Sequence, residues 1–177
     1  DLDLVSVYDA RGDTVSNGEK PLDAATYFIR LTQRLVSAVS APTAEGRLYE
    51  IDLRLRPQGE KGPFATRLDS WRRYYAESAW TWELLALTRA RVILGPDSLR
   101  AAIEETIRTV LCTPRDEAKL LRDVAEMRAR VNQSHGTTDV WKLKYVSGGL
   151  MDIDFIAQYL MLKTAPAHAG VLSTNMA

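Results

Sequence analysis

A single cysteine, Cys112, stands in 177 residues, so the chain forms no internal disulfide and suits a reducing compartment. Histidine is almost as scarce. His135 and His168 lie in turn-like sequence without partners at ligand spacing, which leaves a zinc centre or a Ser–His–Asp arrangement without support. No run of about 18 apolar residues occurs, so no membrane span is expected. Charge of neither sign is in excess. The 23 basic and 23 acidic residues argue against general binding to nucleic acid or a membrane surface. GEKG (59–62) lacks the remaining spacing of a P-loop. The chain opens on an acidic residue inside an extended segment, with no signal peptide and no initiator methionine, and reads as a piece of a longer chain.

What is present is globular in character, with 46% hydrophobic and 26% charged residues. DLDLVSVYD (1–9) reads as a strand, and RGDTVSNGEKP (11–21) as a polar loop. From Asp23 to Ser40, Ala24, Tyr27, Phe28, Leu31, Leu35, Val36 and Val39 recur at three and four, the spacing of an amphipathic helix with Asp23 as N-cap. APTAEG then breaks it. In RLYEIDLRLRP (47–57) Tyr49, Ile51, Leu53 and Leu55 alternate with Glu50, Asp52, Arg54 and Arg56, predicting a one-sided strand that Pro57 ends.

Beyond residue 66 the spacing predicts helices over 68–78, 80–94, 97–112, 114–133 and 149–163. Thr113 and Asp116 resemble a capping box. Leu120, Val124, Met127 and Val131 form a core stripe; Arg122, Asp123, Glu126, Arg128 and Arg130 decorate the rest, most of that charge being expected on a solvated face. The last helix is apolar nearly all round, which predicts deep burial. Trp71, Trp80 and Trp82 are expected to anchor helix packing, and Cys112 to fill a small place near a helix end. The expected class is α+β, with a strand–helix–strand part over 1–66 and a helical domain over 67–177.

The candidate chemistry lies in the extended segments. In a strand, Asp1 and Asp3 share a side roughly 6.5–7 Å apart, and their like charges call for a compensating cation or open water. If the strand bearing Asp52 pairs alongside, three carboxylates converge within reach of one or two hard cations such as Mg²⁺. Arg54 and Arg56 would continue that face toward phosphate oxygens. The same alternation also serves a solvated sheet face with cross-strand ion pairs. Arg89 and Arg91, two apart on a helix, do not share a face. Neither do Asp152 and Asp154, of which one could reach a site while the other meets solvent or caps the helix. WKLKY (141–145) alternates, setting Lys142 and Lys144 on one side. Gly148–Gly149 turns the chain into the last helix, either as a simple tight turn or as an anion-holding one.

DLDLVSVYD, GRLYEIDLRLRPQGEKGP, AWTWELLALTRARVILG and LKYVSGGLMDIDFIAQYL, in that order, resemble the glutamine synthetase adenylyltransferases, bifunctional regulators of bacterial nitrogen assimilation. The resemblance spans nearly the whole chain. It implies a DNA polymerase β-like nucleotidyltransferase core, lacking its N-terminal part and followed by helices. AWTWELLALTRARVILG is more similar to the adenylylating half, which attaches AMP from ATP to a tyrosine of glutamine synthetase. The alternatives are the adenylyl-removing, phosphorolytic half and a non-catalytic helical interaction module. By position, the resemblance makes Asp1 and Asp3 the metal pair, and Asp52 both the third metal ligand and the acceptor of the tyrosine proton. It sets Arg54 and Arg56 on an R-x-R-P motif, and Lys144, Gly148 and Gly149 on a K-x-x-x-G-G motif, facing nucleotide or target. It further implies Mg²⁺, ATP, a PII-type signalling protein, glutamine as effector and a cytoplasmic location, without nucleic acid or membrane. The family's serine-bearing loop for the triphosphate would precede Asp1, so residues 1–177 by themselves are not expected to suffice for turnover. Asp154 replaces the common Glu of a D-I-E-F motif.

Overall fold

The computed structural model describes residues 2–47 and 49–174. It is a mixture of helices and small sheets, an α+β protein that divides into two compact units, Asp1–Ser78 and Ala79–Ala177. The division falls after Ser78 rather than after residue 66. The reason is that the helix α2 (Leu68–Glu77) packs on strands β2 (Ser6–Tyr8) and β6 (Ala65–Arg67) of the first unit.

In the first unit the strand expected over 1–9 is two short strands, β1 (Leu2–Asp3) and β2. Helix α1 (Ala24–Val39) matches its periodicity. Asp23 caps it as expected, its carboxylate accepting the Thr26 N–H at 3.0 Å. Phe28 stacks on Tyr8 with ring centres 4.7 Å apart, and Thr32 donates to Ser6 Oγ at 2.9 Å, fixing the helix over β2. Not all of the predicted stripe is covered, since Tyr27, Leu31 and Leu35 are exposed. APTAEG does more than end the helix. It forms an antiparallel pair of β3 (Pro42–Thr43) and β4 (Gly46–Arg47).

The strand expected over 47–57 shrinks to β5 (Ile51–Asp52). The other two strand pairings are parallel: β1 with β5, and β2 with β6. Parallel neighbours need a crossover, and α1 lies within the connection that returns the chain from β1 to β5. Leu53, Ala65, Leu68, Trp71 and Tyr75 form the core with Tyr8.

The second unit holds α3 (Thr81–Leu87), α4 (Asp97–Leu111), α5 (Glu117–His135) and α6 (Leu150–Thr164). Its core is Leu85, Leu87, Val110, Leu111, Leu120, Val124, Leu162 and Ala165. Several sequence expectations fail in this unit. Helix α3 stops at Leu87, not 94, because Thr88, Arg89 and Ala90 turn back with N–H bonds to carbonyls three residues earlier. Helix α5 starts after Asp116, whose carboxylate accepts the Lys119 N–H at 2.8 Å, so Thr113 is no cap. Finally, α6 is not deeply buried throughout. Leu150, Ile153, Ile156 and Leu160 are exposed on one side, while Gln158 and Leu162 are buried. Trp71 is buried as expected, but Trp80 and Trp82 are exposed. No helix among the described residues is long and apolar enough to cross a membrane.

Candidate active site

The pairing of β1 with β5 sets Asp3 directly beside Asp52. Leu2 and Leu4 donate to the carbonyls of Glu50 and Asp52, both at 2.8 Å, and so hold the register. Register partners in adjacent strands share a sheet face about 4.8 Å apart. Main-chain pairing thus brings the two residues to one register position. Asp1 lies outside the described residues, and so does whatever it adds. Glu50, Ile51, Asp52 and Arg54 line a shallow depression of about 260 Å³.

The chain turns immediately after Asp52, which overturns the continuous face expected from alternation. The Arg54 N–H donates back to Asp52 Oδ1 at 2.8 Å, an Asx-type turn that ends the strand. The Arg54 side chain follows, its Nε donating to Asp52 Oδ2 at 2.7 Å and its Nη2 reaching the same oxygen. This guanidinium, with the neighbouring amide, holds the Asp52 carboxyl below the ordinary carboxylate value. Asp52 in turn raises the Arg54 pKa, and the charge of Asp3 adds to the effect. Asp52 is therefore ionised, and a cation already sits on it.

Arg56 is used differently from the expected phosphate contact. It is buried, with Nε donating to Gly62 O at 3.0 Å, Nη1 to Leu53 O at 2.7 Å and Nη2 to Glu60 O at 3.1 Å. The guanidinium carbon lies 5.1 Å from the Phe64 ring centre. Its donors gather the carbonyls of the 53–62 loop, because buried carbonyls there need partners.

The remaining expected site residues belong to the second unit. WKLKY is a run of turns, not an extended segment, with Lys142 N–H bonded to Asp139 O and Tyr145 N–H to Lys142 O. Lys144 is exposed, its Nζ 5.2 Å from the Tyr145 ring centre. Gly148 adopts a positive φ of 79°, and a Cβ on Gly149 would lie 2.3 Å from Leu143 O. The Gly148 N–H donates to Asp152 Oδ2 at 2.6 Å, and that of Gly149 to Val146 O at 2.9 Å. The first amides of α6 are likewise used, Leu150 by Leu143 O and Met151 by Lys144 O. The turn is a tight one, and these amides are spent within the protein rather than presented to an anion.

Asp152 also accepts from Arg128 Nε, and this bond leads the causes that lower its pKa. Asp154 pairs with Arg89 at 3.2 Å. Both α6 carboxylates are therefore matched to arginines of neighbouring elements. Arg91 is exposed in the irregular segment after α3, off any helix. Reading Arg128 as solvated face missed its part-buried bond. The i, i+2 proximity of Asp52 and Arg54 was the available signal for the clamp.

The donor set is oxygen-only, as Mg²⁺ requires. Asp3 and Asp52 supply a pair at one register position, one of them held ionised, and so fit such an ion. Among the described residues, no group of three His, Cys, Asp or Glu side chains is placed to hold a metal.

The family model for glutamate-ammonia ligase adenylyltransferase matches residues 1–106. The chain is 53% identical over 176 residues to a bifunctional glutamine synthetase adenylyltransferase/adenylyl-removing enzyme of Rhodopseudomonas palustris (strain TIE-1), covering 99% of this chain and 18% of that protein. Proteins of the same name are similar in Rhizobium meliloti (strain 1021), with 51% identity over 98% of this chain and 17% of theirs. In Mesorhizobium japonicum the values are 48%, 100% and 18%. The chain thus spans about 18% of the length of these curated relatives. On the strength of that match over more than half its residues, the chain belongs to the glutamate-ammonia ligase adenylyltransferase family.

Proposed function

We propose that these residues are part of the adenylylating half of a bifunctional enzyme, transferring AMP from ATP to a tyrosine of glutamine synthetase. The observation that carries this reading is the in-register placement of Asp3 and Asp52 on parallel strands. The β1–α1–β5 arrangement is compatible with a DNA polymerase β-like nucleotidyltransferase core. Asp3 and Asp52, joined by Asp1, would hold Mg²⁺, which would supply charge neutralisation at the phosphates.

In the transfer, the tyrosine oxygen forms a bond to the α-phosphorus while the bond to the bridging oxygen of the β-phosphate breaks. Pyrophosphate leaves, and the phenolic proton passes to an Asp52 carboxylate oxygen. Catalysis then rests on positioning and electrostatics, as is usual for phosphoryl transfer. With Arg54 on Oδ2, Asp52 is a weak base whose lone pairs are partly occupied. Its work as an acceptor requires that the guanidinium withdraw. Regulation by a PII-type protein and by glutamine, in the cytoplasm, belongs to the same reading.

The test is Asp52→Asn in the full enzyme. Folding is retained and AMP incorporation from ATP is abolished, while full labelling of glutamine synthetase by the variant refutes the role. The relatives' name also includes adenylyl removal. Loss of ADP formation from adenylylated target and phosphate in the variant, with ATP-dependent labelling retained, assigns the chain to that half instead. Loss of neither activity in Asp52→Asn leaves the helical interaction module.

A further inference from the structure

We infer that Arg54 is a resident counter-cation that a divalent ion must displace from Asp52. This rests on the reading of Asp3 and Asp52 as cation ligands. The Asp52 side chain is only 12% exposed and both its oxygens are engaged, Oδ1 by the Arg54 amide and Oδ2 by the Arg54 guanidinium. The amide contact belongs to the main-chain turn and orients the carboxylate whether or not the side chain stays. The guanidinium contact is of another kind. The Arg54 side chain is 70% exposed, so water competes for its donors and its stem is free to rotate.

Arg56, two residues on, provides the contrast. Its three donors are fixed on the Gly62, Leu53 and Glu60 carbonyls in the interior, and withdrawing them would strand those carbonyls. One arginine of the R-x-R pair is thus an anchor and the other a detachable partner. Oδ2 cannot carry a guanidinium fork and an inner-shell metal ion together, since both demand its lone pairs and both are positive. The two equilibria are therefore linked, and the ion pair must lower the affinity of the site for the cation.

The experiment is a titration of the nucleotide-free enzyme with Mn²⁺, followed by the loss of the free-ion electron paramagnetic resonance signal. Wild type is compared with Arg54→Gln, Arg54→Lys, Arg47→Gln and Asp52→Asn, each checked for an unchanged melting temperature without metal. Arg47, which pairs with Glu50, controls for the removal of one nearby positive charge. Arg54→Gln is expected to bind Mn²⁺ roughly two- to fivefold tighter than wild type, the scale of an exposed ion pair. Arg54→Lys should gain less, and Arg47→Gln should gain little. If Asp52→Asn weakens binding but Arg54→Gln does not tighten it, the competition is refuted while the metal site stands. Equal gains in Arg54→Gln and Arg47→Gln refute it too, as a general charge effect. If Asp52→Asn leaves Mn²⁺ binding unchanged, the metal-site reading itself fails, and the inference with it.

Discussion

Arg128 on α5 donates its Nε–H to the carboxylate of Asp152 on α6, and the same carboxylate takes the Gly148 N–H at 2.6 Å. One acidic side chain thereby ties a helix start, the preceding turn and a neighbouring helix together. Like Asp52 in the first unit, Asp152 is an acid whose charge is already answered by an arginine.

The first prediction concerns Asp152→Asn. Loss of a charged hydrogen-bond acceptor for two donors should cost about 1–3 kcal/mol at neutral pH, read from urea unfolding. The Asp152 pKa in the folded protein lies below the ordinary 3.8. Its contribution is therefore fully present above 3.8 and is lost as pH falls through the folded value, where the native carboxylate is finally protonated. The stability gap between wild type and Asp152→Asn should narrow in acid. A gap that stays constant down to about pH 2 would show that charge plays no part.

At Gly149 a Cβ would sit 2.3 Å from Leu143 O and 2.8 Å from Val146 O, both backbone atoms. Gly149→Ala should destabilise by about 1–3 kcal/mol, since the turn must open to admit it. Gly148→Ala meets no neighbour within 4 Å but must hold φ near 79°, at a cost of about 1 kcal/mol. Equal costs at the two positions, measured by denaturant midpoints, would contradict the steric account.

Arg56→Lys keeps the charge yet cannot reach three carbonyls with one ammonium in the same geometry. We expect a loss of about 1–3 kcal/mol and faster amide exchange in residues 53–62. Weaker nucleotide binding with unaltered stability would instead place Arg56 on the ligand.

On α6, Leu162 is 1% exposed and Ile156 is 59% exposed. Leu162→Ala should cost about 2–5 kcal/mol, whereas Ile156→Ala should stay within about 0.5 kcal/mol. Thermal unfolding of the two variants tests whether this helix is one-sided.

Local rules carried the sequence reading wherever neighbours along the chain decide the outcome. The period of Ala24, Tyr27, Phe28, Leu31, Leu35, Val36 and Val39 specifies α1, and Asp23 caps it because its carboxylate reaches the Thr26 amide from the adjacent turn. Whether the two acidic segments pair was left open by the sequence, and the parallel register of β1 with β5 is what sets Asp3 beside Asp52. Alternation failed at Arg54 and Arg56. A period of two reports which residues could share a face, not whether the backbone stays extended. Capture of the Arg54 amide by the Asp52 side chain bends it away.

From its sequence alone the chain determined its α+β class and its family motifs, because these depend on residue type and short-range spacing. Only tertiary structure decided that Arg54 covers Asp52 while Arg56 is interred among carbonyls, and that Arg128 and Arg89 answer Asp152 and Asp154. An arginine's stem reaches several partners from one Cα. Which one it takes depends on where distant segments leave an unpaired oxygen, and spacing along the chain does not encode that.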